Sequence, residues 1–324
     1  MKRFRSITAA ATAAVTVCAA LVMTMSPASA DTKAKPNNDP NTAVASDGST
    51  FTTPEANANV RGVNSFAGTG AAVNGAESVA PAESGRTVKH GDNGQETVIG
   101  ADTRVNITGT TAFPYRAVVH ITRDGSGWCT GWMINANTVA TAGHCVAPGG
   151  TGAFYGGTFR VFPGRNGSST PYGSCTARRL HSVGGWVSSG DERYDYGALK
   201  LNCTVGNSTG WFGFWWQSAS LTGLSTTISG YPGDKAFGTM WRSTDQVRVT
   251  QDRQIFYLND TVGGMSGSPV YQNRPSGSSS CAGQCSMAIH AYGLHGGSPH
   301  STHNHGTRIT QPVFDNLIAW RNAA

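Results

Sequence analysis

The sequence predicts an all-β domain closed by a single C-terminal helix. Three observations predict it. From Thr97 onward the chain is rich in Gly, Thr, Ser, Val and Trp. Its apolar runs are short and punctuated by turn residues, as in a fold of many short strands. Only the last dozen residues carry apolar side chains at helical spacing. No internal repeat is evident.

In chain order, the first segment opens with Lys2, Arg3 and Arg5, continues through an apolar stretch from Ile7 to Met23, and reaches Ala28-Ser29-Ala30 before Asp31. A charged start, an apolar core and an A-x-A site make residues 1–30 a secretory signal peptide. Its Thr-interrupted core of small residues suits a membrane anchor of about 20 apolar residues poorly, and no later segment approaches that length. Residues 31–96 hold no Cys and only Phe51 and Phe66 as aromatics. Such a segment cannot bury enough apolar surface to fold alone. It reads as a pro-segment, with a plain flexible spacer as the alternative.

The mature chain is then residues 97–324, with a first half at about 97–208, a second at about 209–311 and a helix at about 312–322. Expected strands are Tyr115 to Arg123, Trp128 to Ile134, Tyr196 to Leu201, Thr226 to Gly230, Ser268 to Tyr271 and Met287 to Tyr292. In the helix Thr310 can cap, Pro312 suits the first turn, and Val313, Phe314, Leu317, Ile318 and Trp320 form one apolar face. Six cysteines follow Cys18 of the signal, an even count that points to disulfides in an exported protein. Six allow fifteen pairings; the expected set is Cys129 with Cys145, Cys175 with Cys203, and Cys281 with Cys285. Zinc is the weaker reading of these cysteines, because none has C-x-x-C spacing.

Three motifs carry chemistry: TAGHC around His144, YDYGAL around Asp195 and GGMSGSP around Ser266. A serine hydroxyl is a weak nucleophile, so it needs an imidazole to take its proton and a buried carboxylate to orient that imidazole. His144, Asp195 and Ser266 supply these groups. The glycines of GGMSG let the N–H groups of Gly264 and Ser266 approach a developing oxyanion without obstruction. The chain order His, Asp, Ser is that of the chymotrypsin type, not of α/β-hydrolases or subtilisins. Gly264-Met265-Ser266-Gly267-Ser268 also lacks the final glycine of the G-x-S-x-G elbow. A catalytically inactive binding protein on the same scaffold is the alternative from another class.

Composition adds a specificity signal. Residues 97–324 contain one glutamate, Glu192, with four others upstream at Glu55, Glu77, Glu83 and Glu96. An exported endopeptidase lives among copies of itself, so scarcity of its target residue is an expected mark of Glu specificity. Compositional drift gives the same count, since lysine is equally scarce at Lys200 and Lys235. Cleavage after Glu96 would free Thr97-Val98-Ile99-Gly100, a small apolar start, so one specificity could also mature the enzyme. The 16 Lys and Arg of residues 97–324 outnumber 10 Asp and Glu. They are scattered, and no nucleic-acid recognition motif accompanies them.

The segments TVIGAD, TTAFPYRAVVHI, CTGWMI, TVATAGHC, GRNGSS, YDYGALKL, SGYPGDKAFGTMW, GGMSGSPV, AIHAYG and GTRIT make the chain resemble the secreted glutamyl endopeptidases of Gram-positive bacteria. The resemblance runs from about Thr97 to Trp320. It implies a chymotrypsin-like double β-barrel, with His144 and Asp195 from the first barrel and Ser266 and the specificity pocket from the second. It implies cleavage after Glu, with Asp slower. It also implies that His290, Thr261 and the mature α-amino group of Thr97 hold the substrate carboxylate. A carboxylate leaves water only among such donors.

Asp260, six positions before Ser266, argues otherwise: at that spacing trypsin-type enzymes bind Lys or Arg, and trypsin-like cleavage is the competing specificity. Met265, where trypsin-type activation uses an aspartate, argues against it. Two features depart from the family pattern, the Cys175 and Cys203 pair and the histidine-rich loop from His295 to His305. That loop could bind Zn²⁺, but reads first as a solvated rim. The sequence therefore predicts a secreted, monomeric serine endopeptidase that acts on proteins and peptides. It predicts no cofactor, no metal site, no nucleic-acid partner and no membrane partner.

Overall fold

The computed structural model describes residues 39–51, 84–87 and 96–323; the signal peptide proposed for residues 1–30 lies outside them. Twelve strands close two six-stranded barrels. The first comprises β1 (Val118–Arg123), β2 (Ser126–Met133), β3 (Thr138–Thr141), β4 (Phe159–Pro163), β5 (Cys175–Val183) and β6 (Gly197–Leu201). They run in the order β6-β3-β2-β1-β4-β5, and pairing of β5 with β6 closes the ring. The second comprises β7 (Ser225–Gly230), β8 (Met240–Thr250), β9 (Gln254–Tyr257), β10 (Pro269–Arg274), β11 (Gly283–Tyr292) and β12 (Asn304–Arg308). Their order is β11-β10-β7-β8-β9-β12, closed by β11 with β12. Closure leaves neither ring an edge strand.

All six expected strands are present with shifted ends. Tyr115–Ala117 forms a 3-10 turn before β1 rather than its first residues. The helix spans Gln311–Asn322 and lays Trp320 against His181 and Tyr196 of the first barrel, with ring centroids 5.9 and 5.6 Å apart. Thr310 occupies the N-cap position, but its hydroxyl makes no capping bond. The expected disulfides are all formed: Cys129–Cys145, Cys175–Cys203 and Cys281–Cys285. Among the described residues no helix is long and apolar enough to cross a membrane.

Two N-terminal stretches add to the first barrel's sheet. Ala43–Ala45 pairs antiparallel with β5, and Ser84–Thr87 pairs with β2. A segment too polar to build its own core thus borrows one, burying Ala43 and Ala45. Residues Val105–Ile107 fall in the expected first half, yet they pair with Met240–Arg242 of the second barrel. The chain between them and Glu96 therefore begins at the second barrel's surface.

The barrels meet through Thr130 of β2. Its N–H donates to the Ser266 carbonyl at 2.9 Å and its hydroxyl to the Gly264 carbonyl at 2.8 Å. The Tyr231 N–H donates back to that hydroxyl at 3.0 Å. The loop before β10 is thereby braced by a strand of the other barrel.

Candidate active site

His144 lies in the 3-10 turn Gly143–Cys145 that follows β3. Asp195 follows the turn Glu192–Tyr194, immediately before β6. The two meet because β3 and β6 are paired. Asp195, fully buried, accepts from the His144 backbone N–H at 2.8 Å, and its Oδ2 lies 2.7 Å from His144 Nδ1. A side chain at Gly143 would strike both the Asp195 carboxylate and Trp186. The glycine of TAGHC is therefore a packing requirement. Cys129–Cys145 ties the adjoining residue to β2.

Ser266 precedes β10 and is 3% exposed. Gly264, two residues earlier, has φ +102°, a conformation that side-chain-bearing residues rarely adopt. Gly267 N–H donates to the His290 carbonyl at 2.7 Å, and His290 N–H to the Ser268 carbonyl at 3.0 Å. The strand carrying His290, β11, is thus stitched to the loop carrying Ser266.

The occupant of the cleft is the chain's own Glu96. The Ser266 hydroxyl donates to Glu96 Oε1, and His290 Nε2 stands 3.9 Å from the same oxygen. Tyr257 OH lies 2.7 Å from His290 Nδ1. Burial drives the Tyr257 phenol well above its usual pKa, so it keeps its proton and can donate to Nδ1. That tautomer turns His290 Nε2–H toward the carboxylate.

Burial also pushes the His290 imidazole down to about 3, with repulsion from His144 adding to it. His290 is therefore a neutral donor. Burial raises the Glu96 carboxyl against the hydrogen bond from Ser266. At His144, burial opposes the charge, but attraction and hydrogen bonding from Asp195, joined by Glu96, outweigh it and raise the pKa.

Residues after Glu96 are gripped tightly. Thr97 N–H donates to Asn304 Oδ1 at 3.1 Å, and Asn304 Nδ2 donates to the Thr97 carbonyl at 2.5 Å. Thr261, fully buried, donates its N–H to the same carbonyl at 3.3 Å. Asp260 accepts from Ile99 N–H at 2.8 Å, Thr103 N–H at 2.8 Å and Thr103 Oγ1 at 2.6 Å. The competing trypsin-like reading fails here. Asp260 is a buried anchor for residues 99–103, with both oxygens engaged, rather than a carboxylate open to a substrate cation.

The structure thus gathers His144, Asp195, Ser266, His290, Thr261, Thr97 and Gly264 around one cleft. Tyr257 and Asn304 were not anticipated. Tyr257 sits in the ordinary apolar run Ile255-Phe256-Tyr257, and Asn304 lies among the histidines that dominate its neighbourhood. The loop from His295 to His305 is solvated, as expected, at Gly296, Gly297, Ser298, Ser301 and Thr302, but three of its histidines turn inward. His305 is fully buried, and His295 and His300 turn inward onto Glu192.

Fold and cleft together define a serine endopeptidase of the chymotrypsin-like class. The trypsin family profile matches residues 105–292. The chain is 47% identical over 249 residues to the glutamyl endopeptidase of Bacillus licheniformis, covering 77% of this chain and 74% of that protein. It is 44% identical over 231 residues to a Bacillus subtilis protein named extracellular metalloprotease, covering 69% and 70%. A solved Glu endopeptidase bound to MPD superposes with a TM-score of 0.61 at 28% identity, covering 70% of this chain and all of that one. The chain belongs to the trypsin family, among the glutamyl endopeptidases.

Proposed function

We propose that the chain is the precursor of a secreted glutamyl endopeptidase, with residues 1–30 as signal, 31–96 as pro-segment and 97–324 as the mature, monomeric enzyme. Ser266 attacks the carbonyl after a substrate glutamate, and His144 takes the serine proton and passes it to the leaving amine. Asp195 orients His144 and stabilises its charged form. The N–H groups of Gly264 and Ser266 hold the oxyanion. Water then releases the acyl-enzyme by the same steps. His290, Thr261 and the freed amino group of Thr97 receive the glutamate carboxylate. Every step of the scheme runs through this chain's own groups, with no cofactor, nucleic acid or membrane in it.

One observation carries the reading: a glutamate side chain, Glu96, already lies in the cleft, with its carboxylate on Ser266 and facing His290. The decisive test is mass spectrometry of fragments from a denatured protein mixture, together with the enzyme's own N-terminus. Cuts after Glu and a Thr97 start are expected; cuts after Lys or Arg would sink the assignment. Ser266→Ala should lower turnover on the order of 10⁵-fold while the variant stays folded. Full activity in that variant would remove Ser266 from the chemistry.

A further inference from the structure

Glu192, His295, His300 and His305 converge where the first barrel's Asp195 loop meets the second barrel's rim. One ligand-capable atom from each lies within 4.8 Å of every other. Glu192 Oε2 stands 2.9 Å from His295 Nε2, and Glu192 Oε1 3.1 Å from His300 Nε2. Donor atoms around a tetrahedral zinc ion stand about 3.4 Å apart, given zinc–nitrogen distances near 2.1 Å. The four groups therefore need only small shifts to enclose one.

Three details point to a ligand. His305 is fully buried, and neither ring nitrogen makes a well-formed hydrogen bond among the described residues, although the His303 backbone lies near its ring. A buried polar group in a native structure requires such a bond. Its ring is clamped between Phe256 and Tyr292, with centroids 5.0 and 5.2 Å away and planes 25° and 23° apart, so its direction is fixed. His295 Nδ1 lies 3.1 Å from the Gly293 carbonyl. Since that oxygen only accepts, the ring proton belongs on Nδ1, and Nε2 turns a lone pair toward the Glu192 carboxylate. The 2.9 Å gap to that carboxylate is closed either by a second ring proton, as in a His–Glu ion pair, or by a metal cation, and a metal there would also meet His300 and His305. A backbone carbonyl behind the ring is also how metal-binding histidines are usually oriented. The third detail is His300 Nε2, which is buried and lacks hydrogen-bond geometry despite its nearby oxygen.

From these contacts we propose that Glu192, His295, His300 and His305 bind one Zn²⁺ ion. Nitrogen-rich donor sets suit zinc and exclude calcium or magnesium, which take oxygen ligands. Four protein ligands fill a tetrahedron, so the ion is structural, with no open position for substrate. Its role is to pin the turn preceding Asp195, a first-barrel element, to β12 and the loop of the second barrel. The other metal-like cluster, Cys129, His144 and Cys145, carries no such site, because its thiols form a disulfide.

The test uses untagged mature enzyme, dialysed against metal-free buffer and reloaded with ZnCl₂. Elemental analysis should find one equivalent of zinc per chain. X-ray absorption should show four nitrogen or oxygen neighbours near 2.0–2.1 Å, with imidazole scattering. The melting temperature should rise by several degrees with ZnCl₂ and not with MgCl₂. Glu192→Gln with His300→Ala should lose the bound zinc and the shift together. His303→Ala, a histidine of the same loop outside the cluster, should keep both. Wild-type enzyme with no retained zinc and no shift would overturn the proposal, as would undiminished binding in the double variant.

Discussion

His144, half-buried, and His290, fully buried, both lie beside Glu96, yet their protonation is driven in opposite directions. His144 has Asp195 against its ring, whereas His290 meets a phenol, the His305 backbone and the distant edge of the Glu96 carboxylate. For catalysis His144 must be neutral, so activity rises with pH through its pKa. The proposed maturation would remove Glu96, one of the attractions that raise that pKa. Asp195 still raises the His144 pKa after Glu96 has gone, so the acid limb of kcat/KM on a Glu substrate should lie in the range above the ordinary imidazole value. His290, held down at about 3, should add no second limb in that range. A rate maximum below pH 5 would contradict both assignments. Tyr257→Phe keeps the ring but loses the donor that sets the His290 tautomer. It should lower kcat/KM for Glu substrates about tenfold, the equivalent of one hydrogen bond of about 1.4 kcal/mol. His290→Ala should cost more, about 10²-fold, and erase the preference for Glu over Gln; an unchanged preference would remove His290 from the pocket.

Among the elements, one of the two scarce lysines has definite work. Lys200 of β6 is 1% exposed. Its Nζ lies 3.4 and 3.3 Å from the Trp320 and Arg321 carbonyls and 3.3 Å from Thr138 Oγ1. A cation at a helix C-terminus satisfies open carbonyls and opposes the negative end of the helix dipole. Burial, with Arg178 and Arg179 adding repulsion, pulls its pKa down to about 8. Lys200→Met, similar in volume but without the donor, should destabilise the domain by about 2 kcal/mol. For a domain of this size that is a drop of roughly 4–8 °C in melting temperature, readable by calorimetry.

Legibility at this scale depended on what each strand buries. β1, with Val118, Val119 and Ile121, announced itself through apolar, β-branched residues. β12, Asn-His-Gly-Thr-Arg, is buried throughout and was not anticipated, because polar residues in a strand read as a loop until their partners are known. β8 has the opposite disguise: a run of 11 residues with Arg, Asp and Gln on a largely exposed face. The triad was legible because each member sits in a short motif whose neighbours the chemistry constrains. Tyr257 and Asn304 were not, because the contacts that give them meaning join residues 33 and 207 positions apart, and no spacing rule reaches that far.

Across the whole molecule, the proposed precursor holds its nucleophile against its own glutamate. Glu96→Gln removes the carboxylate that Ser266 donates to and the residue the mature enzyme would cut after. That precursor should remain at full length on prolonged incubation, while the parent shortens to a Thr97 start. Western blotting or intact mass measurement distinguishes the two. Added mature enzyme should convert the parent and leave the variant intact.

The grip of Asp260 and Asn304 on residues 97–103 is already complete before any bond is cut. Cleavage then has nothing to rebuild in the second barrel. It changes one peptide nitrogen into an amine at a place already prepared for it. On the proposed maturation scheme, the delay before activity is set by how often precursor meets a competent enzyme, not by any refolding clock. A dilute precursor of this kind would stay dormant, and a crowded one would ignite.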